Sequence, residues 1–229
     1  MIHHGILFTT VALCGSWLLF DVLQKIPVKT QYYTATSLDG FIATENDSLE
    51  WLFALADLSE SSYPEFIAEV GALAMGSATY EWMIRNATKV SQETGSPWPY
   101  TQPTWVFSNR DLPTIDGADI RFANGGVDQF HSEMRAAAGT KNIWLVGGGD
   151  LAGQFYDVGL LDELIVQIGS VTLGKGKPLF PRRALSSNLK LKSVTQMGES
   201  MAELRYEVHK KHENKEAEQG GTPQPPVPC

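Results

Sequence analysis

The sequence predicts an α/β domain built on a largely parallel sheet, with helices on both faces and an antiparallel edge. Three observations predict it. Short runs rich in β-branched and aromatic residues recur between positions 31 and 208. Most are separated by stretches of about ten residues with helical spacing, the pattern of parallel strands joined by crossover helices. The last two runs follow one another with no helix between them, which makes them an antiparallel pair.

In chain order, residues 31–43 (QYYTATSLDGFIA) read as a strand passing through a turn at Asp39-Gly40. A helix follows over 63–70, after a Ser-Glu-Ser-Ser capping cluster. Residues 72–75 are a short apolar strand that ends at Gly76, and 77–86 return to helical spacing. Residues 104–107 (TWVF) and 120–123 are strands, followed by a helix over 127–138. The buried-type strand 143–146 (IWLV) enters a triple-glycine turn and a helix over 151–158. Residues 164–171 (LIVQIGSV) form the next strand, and 189–194 with 202–208 make the terminal pair.

Composition narrows the function. The 229 residues carry a formal net charge of −8 and a pI near 5.1, which argues against binding a nucleic-acid backbone. Two cysteines, Cys14 and Cys229, give no disulfide framework or cysteine metal site, and the five histidines sit mostly near the ends. No metal site is expected. Residues 6–23 (ILFTTVALCGSWLLFDVL) are close to the ~20 apolar residues of a spanning helix. Lys25 and Lys29 follow them and would keep the domain on the cytoplasmic side. The competing readings of this 1–29 extension are a start codon placed too far upstream and an extra element packed on the domain. The domain is therefore expected to be cytoplasmic, touching a membrane only if that segment is an anchor. Residues 210–229 are charged, then Gly- and Pro-rich, and read as a disordered tail. The folding unit is 30–209.

Three strand ends carry phosphate-binding chemistry, because helix N-termini there present free N–H groups. Gly147-Gly148-Gly149 follows IWLV and opens a helix. A tight turn needs one glycine; three favour close approach by a diphosphate. At the Gly76-Ser77-Ala78-Thr79 corner, Thr79 is placed to offer its hydroxyl and N–H to a phosphate, while Ser77 is equally well read as an N-cap. Ser108-Asn109-Arg110 supplies two small donors and a guanidinium, suited to a monoester such as the 2′-phosphate of NADP; the competing reading is a polar turn. Two motifs are decoys. Residues 147–152 fit G-x-G-x-x-A but lack the acidic ribose ligand at the next strand end. Residues 169–176 (GSVTLGKG) approach a P-loop but end without a hydroxyl for magnesium.

These stretches, in this order, resemble the dihydrofolate-reductase-like family, specifically the branch similar to the RibD C-terminal reductase of riboflavin biosynthesis. TATSLDGFIA (34–43), MGSATYE (75–81), WVFSNR (105–110), IWLVGGGDLAGQF (143–155), GLLDELIVQIGSVTLGKGKPLF (159–180) and ELRYEV (203–208) carry the resemblance. It implies a three-layer α/β/α fold, usually homodimeric, that binds NADPH and passes hydride to a small unsaturated, heterocyclic substrate. Ala35 and Ile42 would border the nicotinamide. Gly76 and Thr79 would meet one side of the pyrophosphate, and Gly147, Gly148 and Gly149 the other, with Ser77 at the cofactor position that in relatives helps to grip the 2′-phosphate. Asp150, Leu151 and Gln154 would lie along the cofactor, and Ser108, Asn109 and Arg110 would receive the 2′-phosphate. Relatives commonly carry a basic residue where this chain has Ser77, so NADH is an alternative to NADPH.

At the substrate end, Asp39 would shape the loop over the nicotinamide or hold a polar substrate; Asp-Gly is also a strong turn signal. Trp51 resembles a tryptophan that borders the substrate, against a core role. Gln167, on an apolar strand, would face the substrate pocket, because a buried amide needs a partner. Glu50 and Asp57 are nearby acids with solvated helix positions as the competing reading. The expectation is an NAD(P)H-dependent reductase; the alternative is a catalytically inactive nucleotide-binding or structural homodimer on the same scaffold.

Overall fold

The computed structural model describes residues 27–55 and 61–209. The expectations for residues 1–26 and 210–229, and for Asp57, lie outside the described residues. Eight strands form one sheet in the order β5-β4-β3-β6-β1-β7-β10-β9. They are β1 (Thr30–Ser37), β3 (Val70–Gly76), β4 (Thr104–Phe107), β5 (Ile120–Ala123), β6 (Asn142–Gly147), β7 (Glu163–Gly169), β9 (Leu189–Met197) and β10 (Met201–Val208). The first six are mutually parallel, and β10 runs antiparallel to both β7 and β9. The terminal pair therefore builds the antiparallel edge, with the last strand inserted between β7 and β9.

Helices cover both faces and make three layers. On one face α5 (Val127–Ala138) buries Val127, His131, Met134 and Ala138, while α6 (Gly149–Asp157) buries Leu151, Ala152, Phe155 and Tyr156. Both sets fall at helical spacing, giving each helix a single apolar stripe. They pack on Tyr32, Ala72, Ala74, Ile143 and Leu145 from the sheet. The opposite face is covered by α2 (Tyr63–Ala68), α3 (Ser77–Arg85) and α4 (Ala87–Thr94). There Phe66 meets Tyr33, Trp144 and Ile165, and Tyr80, Met83 and Val90 meet Met75 and Val106. Successive residues Tyr32 and Tyr33 are thus buried on opposite faces of the same strand, as a central parallel strand requires.

The sequence reading needs four corrections. Residues 31–43 are two strands, not one. Gly40 takes a left-handed φ of +84° and its N–H donates to the Ser37 carbonyl at 3.0 Å, so β2 (Phe41–Ala43) leaves the main sheet. It pairs instead with β8 (Lys177–Pro178), a two-residue strand whose proline hides it from pattern reading. The helical stretch after Arg85 restarts as α4, which lacks an apolar run. Finally, the helix expected over 63–70 ends at Ala68, and Val70 already belongs to β3; α1 (Glu50–Leu55) is a short helix with no buried residue, in keeping with a solvated position for Glu50. Among the described residues no helix is long and apolar enough to cross a membrane.

Phe155 ties α6 to the sheet: it is fully buried and stands edge-on to Phe107 at 6.1 Å. Phe155→Ala is expected to lower the unfolding free energy by about 3–5 kcal/mol. Urea denaturation checks this; a loss below about 1 kcal/mol would mean that α6 is not anchored by this ring.

Candidate active site

Strands β1 and β6 pair over three positions, Thr30–Ile143 to Tyr32–Leu145, whereas β1 and β7 pair over seven. Beyond Tyr32 the first two strands part, and a cleft of about 310 Å³ opens between them. That is the lower end of the size range of small-molecule sites. Thr34 of β1 and Val146 to Asp150 form its base; Ile42, Ala43, Asp47 and Leu49 come from β2 and the following loop. Ala78, Thr79 and Trp82 of α3 form one wall, and Lys177, Pro178 and Pro181 close the other side.

Two helix N-termini converge here. Gly76 is the N-cap of α3 and Gly148 the N-cap of α6, each with extended backbone. A Cβ at Gly76 would lie 3.9 Å from the Gly147 carbonyl, and one at Gly147 would lie 3.0 Å from Thr79 Oγ1, so the corners touch. Their unsatisfied N–H groups and aligned dipoles favour an anion.

The three glycines have separate roles. A Cβ at Gly149 would come within 2.2 Å of the Leu179 carbonyl and 2.5 Å of that of Pro178, so this glycine is required by the segment running out of β8. A Cβ at Gly148 would meet only Ile42 Cδ1, at 3.8 Å, and would project into the cleft. Gly148 is the position where a missing side chain leaves ligand space.

The other sequence candidates divide. Ile42, Thr79, Gly147, Gly148, Gly149 and Asp150 line the cleft. Leu151 is 5% exposed and its side chain belongs to the core, which corrects its placement along a cofactor. Gln154 donates to Asp150 Oδ2 at 2.9 Å, and Arg182 donates to Asp150 Oδ1 at 3.0 Å. These bonds, that from Gln154 foremost, hold the Asp150 carboxyl below its ordinary range. Ser77 is the first residue of α3 and Gly76 its N-cap, which corrects the reading of Ser77 as the cap. Ser108, Asn109 and Arg110 stand outside the cleft lining, at the end of β4. Ala35 lies beside Gln167 in the register of β1 and β7.

Asp39 shapes a loop. Its carboxylate accepts Ser37 Oγ at 2.6 Å, the Leu173 amide at 3.0 Å and the Gly174 amide at 2.7 Å. The hydroxyl of Ser37 leads the causes that push the Asp39 carboxyl below its ordinary range. The amides of the P-loop-like stretch thus serve an internal carboxylate. Trp51 lies over the end of β7, its ring 3.3 Å from where a Gly169 Cβ would be. Its buried indole N–H has no hydrogen-bond partner among the described residues.

Sequence reading missed a buried polar cluster around Gln167. Its Nε2 donates to Tyr33 Oη, to Glu203 Oε2 at 3.1 Å and to Ser62 Oγ at 3.3 Å. Ser62 also donates to Glu203, and Arg205 Nε donates to Glu203 Oε1 at 2.7 Å. Burial alone would raise the Glu203 carboxyl, but these donors outweigh it and hold it below its usual range. Gln167 is therefore tied, through its amide nitrogen, to a carboxylate on the neighbouring strand. Alternation on β10 places Glu203 and Arg205 on that face, but their partner Ser62 precedes α2, far away in sequence. Asp47 was also missed: it sits in the cleft with a left-handed φ of 60°, 3.5 Å from Lys177 and 3.9 Å from Arg85.

A family model of the RibD C-terminal domain matches residues 99–202. The chain is 31% identical over 178 residues to the uncharacterized protein YwjB of Bacillus subtilis (strain 168), covering 78% of this chain and 97% of that protein. Its fold is similar to that of a Shewanella sp. PV-4 protein provisionally named for riboflavin biosynthesis, with TM-score 0.61, 24% identity, and coverage of 80% of this chain and 99% of that one. It is also similar to dihydrofolate reductase of Enterococcus faecalis complexed with NADP(H) and RAB-propyl, with TM-score 0.51, 16% identity, and coverage of 79% and 96% respectively. At these identities the two structural likenesses establish the fold alone.

Two outcomes are expected from this geometry. Gly149→Ala lowers the melting temperature because its Cβ cannot coexist with two carbonyls, whereas Gly148→Ala leaves it unchanged; equal melting temperatures would contradict the division of roles. For Asp39 the folded-state pKa is depressed, so its contribution to stability is full above about pH 4 and is lost as pH falls through the lowered pKa. The melting-temperature gap between wild type and Asp39→Asn should therefore be open at pH 7 and close on acidification.

Proposed function

The chain belongs to the RibD C-terminal domain family, and from that premise we propose that it is a nicotinamide-dinucleotide-dependent reductase. Its substrate would be a small unsaturated heterocycle that takes up hydride. The observation carrying this reading is the cleft at the β1–β6 divergence, where two helix N-termini meet beside Gly148. The residues fit a dinucleotide: the diphosphate would lie against the N-terminal amides of α3 and α6, with Thr79 as a hydroxyl donor, and the space beside Gly148 is what a side chain would fill. When bound, the reduced nicotinamide supplies the hydride.

What the chain contributes is position and exclusion of water. Thr34, Ile42 and Val146 give the cleft apolar lining from β1, β2 and β6, and Trp82 lines it from α3. Asp150 is held ionised at neutral pH by Gln154 and Arg182, which leaves it a poor proton donor. Asp39 is likewise held ionised and acts on the loop after β7 rather than on a reactant. The Gln167 amide is engaged with Tyr33, Ser62 and Glu203 and serves the packing of β7 against β10 and not a reactant.

Gly148→Asp places a carboxylate where the diphosphate would lie. Isothermal titration with NADPH and NADH is expected to show binding to the wild type and a loss of at least about tenfold in the variant (about 1.4 kcal/mol), with melting unchanged. Unaltered affinity would overturn the site. Binding without oxidation of the reduced nicotinamide over a broad panel of unsaturated heterocycles would favour the inactive nucleotide-binding scaffold.

A further inference from the structure

The corner expected to hold a ribose 2′-phosphate is closed electrically by its own residues. The first turn of α3 offers Ser77 and Ala78, neither of them a cation. Ser108 has its hydroxyl engaged within its own turn: it accepts the Arg110 amide at 2.9 Å and donates to the Arg110 carbonyl at 3.1 Å. Arg110 supplies the positive charge there, and both of its terminal nitrogens are bound, Nη1 to Glu81 Oε1 and Nη2 to Glu81 Oε2, each at 3.0 Å. Glu81 follows the cleft-lining Ala78 by one helical turn on α3, which places the Glu81–Arg110 pair beside the lining and not in it. Lys177, a cation of the cleft lining, faces Asp47, as does Arg85.

We propose that Glu81 is a specificity-determining residue: by pairing with Arg110 it cancels the charge that would select a 2′-phosphate, so that the cleft takes NADH at least about as well as NADPH. This rests on the dinucleotide reading above. A phosphate monoester approaching this pair meets no net charge, and the attraction of the guanidinium is opposed by the repulsion of the carboxylate and falls off faster with distance than that of a lone cation. The pair is partly exposed, with side-chain exposures of 55% and 30%, so its strength falls as salt rises. Glu81 acts here on Arg110, and through it on the nucleotide.

The test is isothermal titration of wild type, Glu81→Gln, Arg110→Ala and the double variant with NADH and NADPH, at low and physiological salt. Wild type is expected to bind the two within about threefold of one another. Glu81→Gln should tighten NADPH by about five- to tenfold at low salt and leave NADH within about twofold, with the gain shrinking as salt rises. Adding Arg110→Ala should abolish the gain. A wild type preferring NADPH by more than about tenfold overturns the proposal, as does a Glu81→Gln that weakens NADPH, since Glu81 would then be aiming Arg110 at the phosphate. If NADH binds but Glu81→Gln changes nothing, this inference alone fails. If neither nucleotide binds any variant, the dinucleotide reading fails and takes this with it.

Discussion

The cleft exists because β1 and β6 stop pairing after Tyr32–Leu145. Neighbours on either side continue to pair: β7 follows β1 in register to Ser37, and β3 follows β6 to Gly147 with a register shift between Ala74 and Met75. The sheet therefore splits in its middle while both halves remain paired outward. Everything that lines the site is brought there by that split. The split also sets where α6 begins, because its N-terminus must pass beneath the carbonyls of Pro178 and Leu179. A residue with a side chain at position 149 would push this helix away from the segment leaving β8, and the wall of the cleft with it.

Charge around the cleft is arranged in closed pairs. Asp47 faces Lys177 and Arg85, Asp150 faces Arg182, and Glu81 faces Arg110. Exposed pairs of this kind add little to stability. Their effect is on the potential a ligand meets on entering, which is left to the backbone dipoles of α3 and α6. A site whose attraction comes from main-chain amides recognises a diphosphate in general, and distinctions among its bearers fall to the few side chains at the rim.

Much of the fold was legible from local pattern. IWLV followed by glycines, the stripe of α5 and the paired terminal strands each carry their signal within about a dozen residues, and each element stands where that signal puts it. The site was legible in part. Gly148 and Gly149 look alike in sequence, and what separates them is the backbone of residues 178 and 179, thirty positions away. Arg110 looked like a free cation because Glu81 pairs with it from another element. Leu151 follows the glycine turn closely enough to suggest contact with a ligand, yet the 3.6-residue period sends its side chain inward beside Phe155. Gln167 was suspect as an amide on an apolar strand, but its partners Tyr33, Ser62 and Glu203 come from three separate segments.

The position of β10 between β7 and β9 has a consequence for biosynthesis. Strand β9 emerges from the ribosome first, but it joins the sheet only through β10. Until residues 201–208 are free, β7 is left with one open flank and β9, with Leu191 and Val194 outward, has nothing to pair with. Closure of the sheet therefore waits for the final strand, and until then the β7 flank and β9 present unpaired edges of the kind that promote association.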